Sequence, residues 1–164
     1  MGESGAPVSR RSTILGELEL MFIGTYEHTL DTKGRMTIPS KYREIISSGA
    51  YITKGLDKNL MVLTNEVFNN LFERVTSMNM ANPKTRDLQR LIFANAFSVD
   101  VDKAGRILIP QILRAHAELD LNALILGTGK YFEVWSPIHW EIQAQKQTSE
   151  DINNERFATL DLSL

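Results

Sequence analysis

A nine-residue phrase occurs twice in the chain. Residues 31–39 read DTKGRMTIP and residues 102–110 read DKAGRILIP, so that Asp31, Gly34, Arg35, Ile38 and Pro39 coincide with Asp102, Gly105, Arg106, Ile109 and Pro110 at a spacing of 71. The correspondence spreads outward: Tyr26 falls on Phe97, Leu30 on Val101 and Arg43 on Arg114. After one inserted residue it resumes, with Lys58, Leu60, Val62, Leu63 and Thr64 on Lys130, Phe132, Val134, Trp135 and Ser136. A duplication of about fifty residues constrains the fold more than composition does, because two copies of one unit must bury their apolar faces against each other.

Each copy carries the same local signals. Phe97, Val99 and Val101 alternate with Ser98, Asp100 and Asp102, the period-two pattern of a half-buried strand. Gly34 and Gly105 stand three residues after an aspartate, where a tight hairpin needs positive φ. A second strand follows (RMTI or RILI), and its terminal proline suits the first position of a short helix, roughly 39–47 and 110–118. AYITK and NLMVL in copy one, and ALILG and YFEVW in copy two, predict two further strands, with Thr64 or Ser136 capping the helix behind them. Between the copies, 66–78 and 84–93 read as helices separated by Asn82-Pro83, and a last helix is expected over 150–159. Residues 1–20 read as a flexible leader.

Composition narrows the function classes. At 164 residues and 43 % apolar content the chain can build a core, and with no cysteine it has no disulfide framework, zinc-thiolate site or thiol nucleophile, which fits a cytoplasmic location. Its apolar stretches fall far short of the roughly 18–20 residues that span a bilayer, so no membrane segment is expected. Glu17 and Glu19 interrupt the run after Arg10-Arg11 where a signal peptide would be apolar. A net charge of −2 is the wrong sign for coating nucleic acid by bulk electrostatics, so binding of that kind must rest on local patches.

The segments MFIGTYEHTLDTKGRMTIPSKYREI and FSVDVDKAGRILIPQILRAH resemble the two halves of MraZ-family transcriptional regulators, over residues 21 to about 160. The doubled D-x-x-x-R signature, each copy followed by an apolar-Pro step, carries the resemblance. It implies an α+β, mainly β fold of two tandem AbrB-like swapped-hairpin repeats, forming a pseudo-symmetric barrel with flanking helices. Its domains would be the leader 1–20, a first repeat with connecting helices over 21–93, and a second repeat with C-terminal helices over 94–164. Family members begin near Met21, which makes the leader an addition. The resemblance further implies a nucleoid-associated protein that binds double-stranded DNA at short G-rich direct repeats in its own promoter. It would thereby regulate the division and cell-wall gene cluster, as a homo-oligomeric ring of about eight subunits, without cofactor or metal.

The repeated Asp-Arg pair admits a structural and a functional reading. Asp31 and Asp102, with Gly34 and Gly105, suit the turn itself, each aspartate bonding turn amides while its arginine returns a salt bridge. Arg35 and Arg106 suit recognition, since a guanidinium on a rigid hairpin can bond guanine O6 and N7 in the major groove. Copy one carries Lys33, Arg35, Lys41 and Arg43, and copy two has Ala104, Arg106, Ile112 and Arg114 in the matching places. Thr37 and Tyr42 become Leu108 and Leu113. Copy one is therefore expected to read DNA and copy two to turn its surface toward packing and assembly, with Arg106 still able to meet phosphate. A ring would multiply weak contacts by effective concentration. Lys84, Arg86 and Arg90 form a second basic cluster that suits a solvated helix face.

No catalytic site is expected. His28, His116 and His139 align with Val99, Ile45 and Val67, β-branched apolar residues in the other copy, and this marks them as packing or rim positions. No H-x-x-x-H spacing, Gly-rich phosphate loop or G-x-S-x-G elbow occurs. The rival reading is a protein-interaction module that holds partners through Trp135, Trp140 and Phe157, which would lack steep salt dependence on DNA.

Overall fold

A computed structural model describes residues 21–147 and 155–161. The expected leader, residues 1–20, lies outside the described residues. So do 150–154 of the expected last helix, of which 155–157 are helical.

Copy one runs β1 (Thr25–Thr29), β2 (Arg35–Thr37), α1 (Ser40–Ile45), β3 (Ala50–Lys54), β4 (Asn59–Thr64) and α2 (Asn65–Thr76). A connecting helix α3 (Pro83–Ile92) follows. Copy two repeats the order as β5 (Phe97–Val99), β6 (Arg106–Leu108), α4 (Gln111–His116), β7 (Asn122–Gly127), β8 (Tyr131–Trp135) and α5 (Pro137–Gln145). The helix starts follow the capping chemistry. The side chains of Thr64, Asn82 and Ser136 accept the backbone N–H of Val67, Lys84 and His139. Pro39 and Pro110 stand one position earlier than expected: each has extended ψ and caps its helix instead of opening it.

The sheet explains how the copies join. Its order is β1-β7-β8-β4-β3-β5, all antiparallel, and exchanging the copies leaves that order unchanged. β4 and β8 pair at the centre with Met61 opposite Glu133, while each copy's first strand lies on the third strand of the other: β1 on β7 and β5 on β3. Register also refines the alignment. Ala50 faces Val99 and Ala123 faces His28, so the third strands correspond at a spacing of 73 and the fourth strands at 72, the β7–β8 turn being one residue shorter than the β3–β4 turn.

The expected barrel does not close. The sheet has two free ends, β1 and β5, because β2 and β6 leave it to pair with each other as a separate ribbon, tied back just after β1 by the isolated bridge Leu30–Met36. One face of the sheet and the ribbon enclose the core: Ile52, Leu60, Val62, Ile125, Phe132 and Val134 pack under Met36, Ile38, Ile107 and Ile109. Phe97 departs from the half-buried expectation, since it opens an edge strand and is 39 % exposed. Tyr42 and Leu113 are both buried here, so the change between them is a core substitution, not the surface change expected. The opposite face of the sheet takes α2, α3 and α5: Tyr51 stacks on Phe68 at 4.2 Å and Trp135 meets Trp140 at 5.4 Å.

Candidate nucleic-acid interface

One aspartate organises each hairpin turn. Asp31 Oδ1 accepts the backbone N–H of Lys33 and of Arg35, both at 2.9 Å, and Oδ2 accepts Arg35 Nε at 2.7 Å. Gly34 closes the turn at φ +85°, donating its N–H to the Asp31 carbonyl at 3.0 Å. Asp102 repeats the arrangement with Ala104 and Arg106 at 2.9, 2.9 and 3.0 Å, and Gly105 has φ +78°. The Arg35 backbone N–H, reinforced by its guanidinium and the Lys33 N–H against partial burial, lowers the Asp31 carboxyl to about 2. The Arg106 backbone N–H leads the same effect on Asp102. The aspartates thus hold the turns, and Arg35 and Arg106 are aimed by them.

The turns are not separate. In the ribbon Arg35 stands opposite Leu108 and Arg106 opposite Thr37. The Ile38 N–H donates to the Gly105 carbonyl and the Ile109 N–H to the Gly34 carbonyl, both at 2.9 Å. Arg106 Nη1 lies 3.6 Å from Asp31 Oδ2, so Asp31 faces the arginines of both copies. Arg43 and Arg114 reach across in the same way, the Arg43 guanidinium against Gly105 and that of Arg114 against Gly34, where a Cβ would collide with them.

The expected site residues fall into two groups. Lys33 and Lys41 are exposed, at the first turn and at the start of α1. The Arg35 and Arg106 side chains are 33 % and 32 % exposed. Arg35 spends only Nε on Asp31, and its terminal nitrogens are unbonded among the described residues. Arg43 is not presented freely: it is half-buried, with Nε enclosed and without a hydrogen-bond partner, as is its counterpart Arg114. Lys103 was missed by sequence reasoning. It is exposed in the second turn, where copy one has Thr32, and comparing Lys33 only with Ala104 passed over it. The cationic difference between the copies is therefore smaller than position-by-position matching implied, and the ribbon joins both sets on one structure.

A two-stranded ribbon fits the major groove. Exposed lysines can neutralise phosphates and release counterions, and a guanidinium held by an aspartate meets a base edge with little ordering cost. Elsewhere, cations are engaged locally: Arg86 donates to the Met80 and Ala81 carbonyls at 2.8 and 3.1 Å, and Arg90 pairs with Asp87 at 3.4 Å. His139 lies 2.7 Å from Glu118 and His116 lies 3.1 Å from the Asp57 carbonyl, both at loop contacts between elements. His28 is half-buried on edge strand β1. Among the described residues no helix is long and apolar enough to cross a membrane.

Comparison with known proteins adds a family. The family model described as "MraZ protein, putative antitoxin-like" matches twice in tandem, at residues 21–91 and 92–162. A protein of Roseiflexus castenholzii named "Transcriptional regulator MraZ" is 46 % identical over 121 residues, which is 74 % of this chain and 85 % of that protein. Relatives of the same name from Thermomicrobium roseum and Leuconostoc mesenteroides are 38 % and 34 % identical over 141 and 144 residues, covering 85 % and 88 % of this chain and 99 % and 100 % of theirs.

Proposed function

The chain belongs to the MraZ family, and from that premise we propose that it regulates transcription by binding the DNA of its own promoter through the β2–β6 ribbon. The reading is carried by the meeting of two hairpin turns, each with an aspartate-braced arginine and an exposed lysine. Arg35 reads guanine, Arg106 takes a second base or a phosphate, and Lys33 and Lys41 neutralise phosphates. The targets are short G-rich direct repeats ahead of the division and cell-wall genes, in the nucleoid. The protein acts without enzymatic chemistry, as relatives named for transcriptional regulation support.

The exchange of β1 and β5 between copies supports an AbrB-like swapped-hairpin relationship, with repeats over 21–93 and 94–164. Leu108 and Ile112, 56 % and 54 % exposed where copy one has Thr37 and Lys41, support contact between subunits of a ring of about eight. The same two side chains favour the second reading, a module that holds protein partners.

Gel shifts on the DNA upstream of the gene test the proposal, with Arg35→Ala and Arg106→Ala compared beside thermal melts. Arg35→Ala should keep its fold and lose about 1–3 kcal/mol of discrimination for G-rich repeats. Wild-type binding by both folded variants refutes the ribbon as the reader, and loss in Arg106→Ala alone reverses the weight given to the copies. The interaction module predicts neither the loss nor a steep salt dependence.

A further inference from the structure

The duplication contains its own control on the sheet face opposite the ribbon. In copy one that face is sealed. Met61 and Val75 are 8 % and 1 % exposed, Phe68 packs between Tyr51 and Phe93, and Thr53 Oγ1 donates to the Ile92 carbonyl at the end of α3. In copy two the corresponding positions have changed character, Met61 to Glu133, Phe68 to Trp140, Leu71 to Gln143 and Val75 to Gln147. A cavity of about 450 Å³ opens there, between β8, α5 and the β3–β4 turn. That volume is within the range of small-molecule sites. The fold does not require the cavity, because its other half fills the same place.

The lining has a definite chemistry. Trp135 and Trp140, both tryptophans of the chain, meet edge to face on its wall. Glu133 and Asp57 supply two carboxylates, and neither has a cationic partner among the described residues. Glu133 Oε1 is held at 3.0 Å by Trp135 Nε1. Burial pushes the Glu133 carboxyl up and the Asp57 charge adds to this, while hydrogen bonds from the Trp135 indole and the Asn59 side chain oppose it. Arg156 also lines the cavity, yet its guanidinium is engaged there, donating to the Lys146 carbonyl at the end of α5 at 3.2 Å and lying 5.5 Å over the Phe157 ring. Indole rings beside carboxylates that no cation neutralises favour a cation.

We propose that this cavity binds a small organic cation of the guanidinium or alkylammonium class, held by Glu133 and Asp57 against Trp135 and Trp140. Because every tryptophan of the chain lines the cavity, intrinsic indole emission reports on it directly. The test titrates the full chain with agmatine, against sodium chloride at equal ionic strength, at two protein concentrations.

A saturable emission change specific to agmatine is expected. Glu133→Met, which imports the residue of copy one, should weaken it at least about tenfold while promoter binding and melting temperature hold. Glu133→Gln serves the same purpose should the methionine variant fail to fold. No saturable change, or equal binding by the folded variants, overturns the proposal. Emission that follows protein concentration and ignores agmatine also overturns it, placing a side chain of a second copy in the cavity.

Discussion

Replacing Gly34 by alanine separates what the turn requires from what the neighbouring copy requires. Gly34 has φ +85°, where an L side chain costs about 1–2 kcal/mol. The added Cβ would also stand 2.6 Å from Cζ of Arg114, which must move. Since that atom ends a flexible side chain, the contact should add no more than about 1 kcal/mol, an off-rotamer cost. The total is about 1–3 kcal/mol, or roughly 2–12 °C in melting temperature for a chain of this size. Differential scanning calorimetry on Gly34→Ala, Gly105→Ala and Gly34→Ala with Arg114→Ala measures the parts. Gly105, at φ +78° against Arg43, should behave as Gly34 does. Measured against Arg114→Ala alone, the double variant should lose the contact share and keep the conformational share of about 1–2 kcal/mol. A Gly34→Ala protein that melts within about 1 °C of wild type would refute both the turn geometry and the crossing of Arg114.

Two further outcomes follow from the site. Lys33→Ala and Lys103→Ala should each reduce the slope of log affinity against log salt by about 0.9 if each lysine neutralises one phosphate, measured by fluorescence anisotropy on promoter DNA. An unchanged slope for Lys103→Ala would exclude Lys103 from the phosphate contacts. Asp31 has its carboxyl lowered from 3.8 to about 2 in the folded state, so its contribution is complete above the unfolded value and is lost as pH falls toward 2. The stability gap between wild type and Asp31→Asn should therefore close across that interval in denaturant titrations, and a gap independent of pH would contradict the aspartate's role in the turn.

Strand existence was legible because alternating apolar residues show each strand's two faces: AYITK and YFEVW correspond to β3 and β8 residue for residue. Strand neighbours were not legible, since periodicity says nothing about edges, and the exchange of β1 and β5 is written in no local pattern. The barrel was what the family resemblance implied, and an open sheet with a detached ribbon is found. At the site, the aspartate and glycine roles were readable from turn chemistry. Arg43 was not, because a guanidinium that packs on a neighbouring turn has the same letter as one that faces DNA. Lys103 escaped because the turns tolerate a cation at either of two adjacent positions, which matching by position treats as a loss.

The exchange of first strands also bears on how the chain comes into being. β1 finds its partner on β7, about a hundred residues later, so at synthesis rates of about 5–20 residues per second its sheet edge stays open for roughly 5–20 s on the ribosome. The first copy cannot complete its own sheet in that interval, however stable its turn. Maturation of the amino-terminal half is tied to translation of the carboxy-terminal half, and a messenger truncated between the copies would yield no smaller working version of the protein.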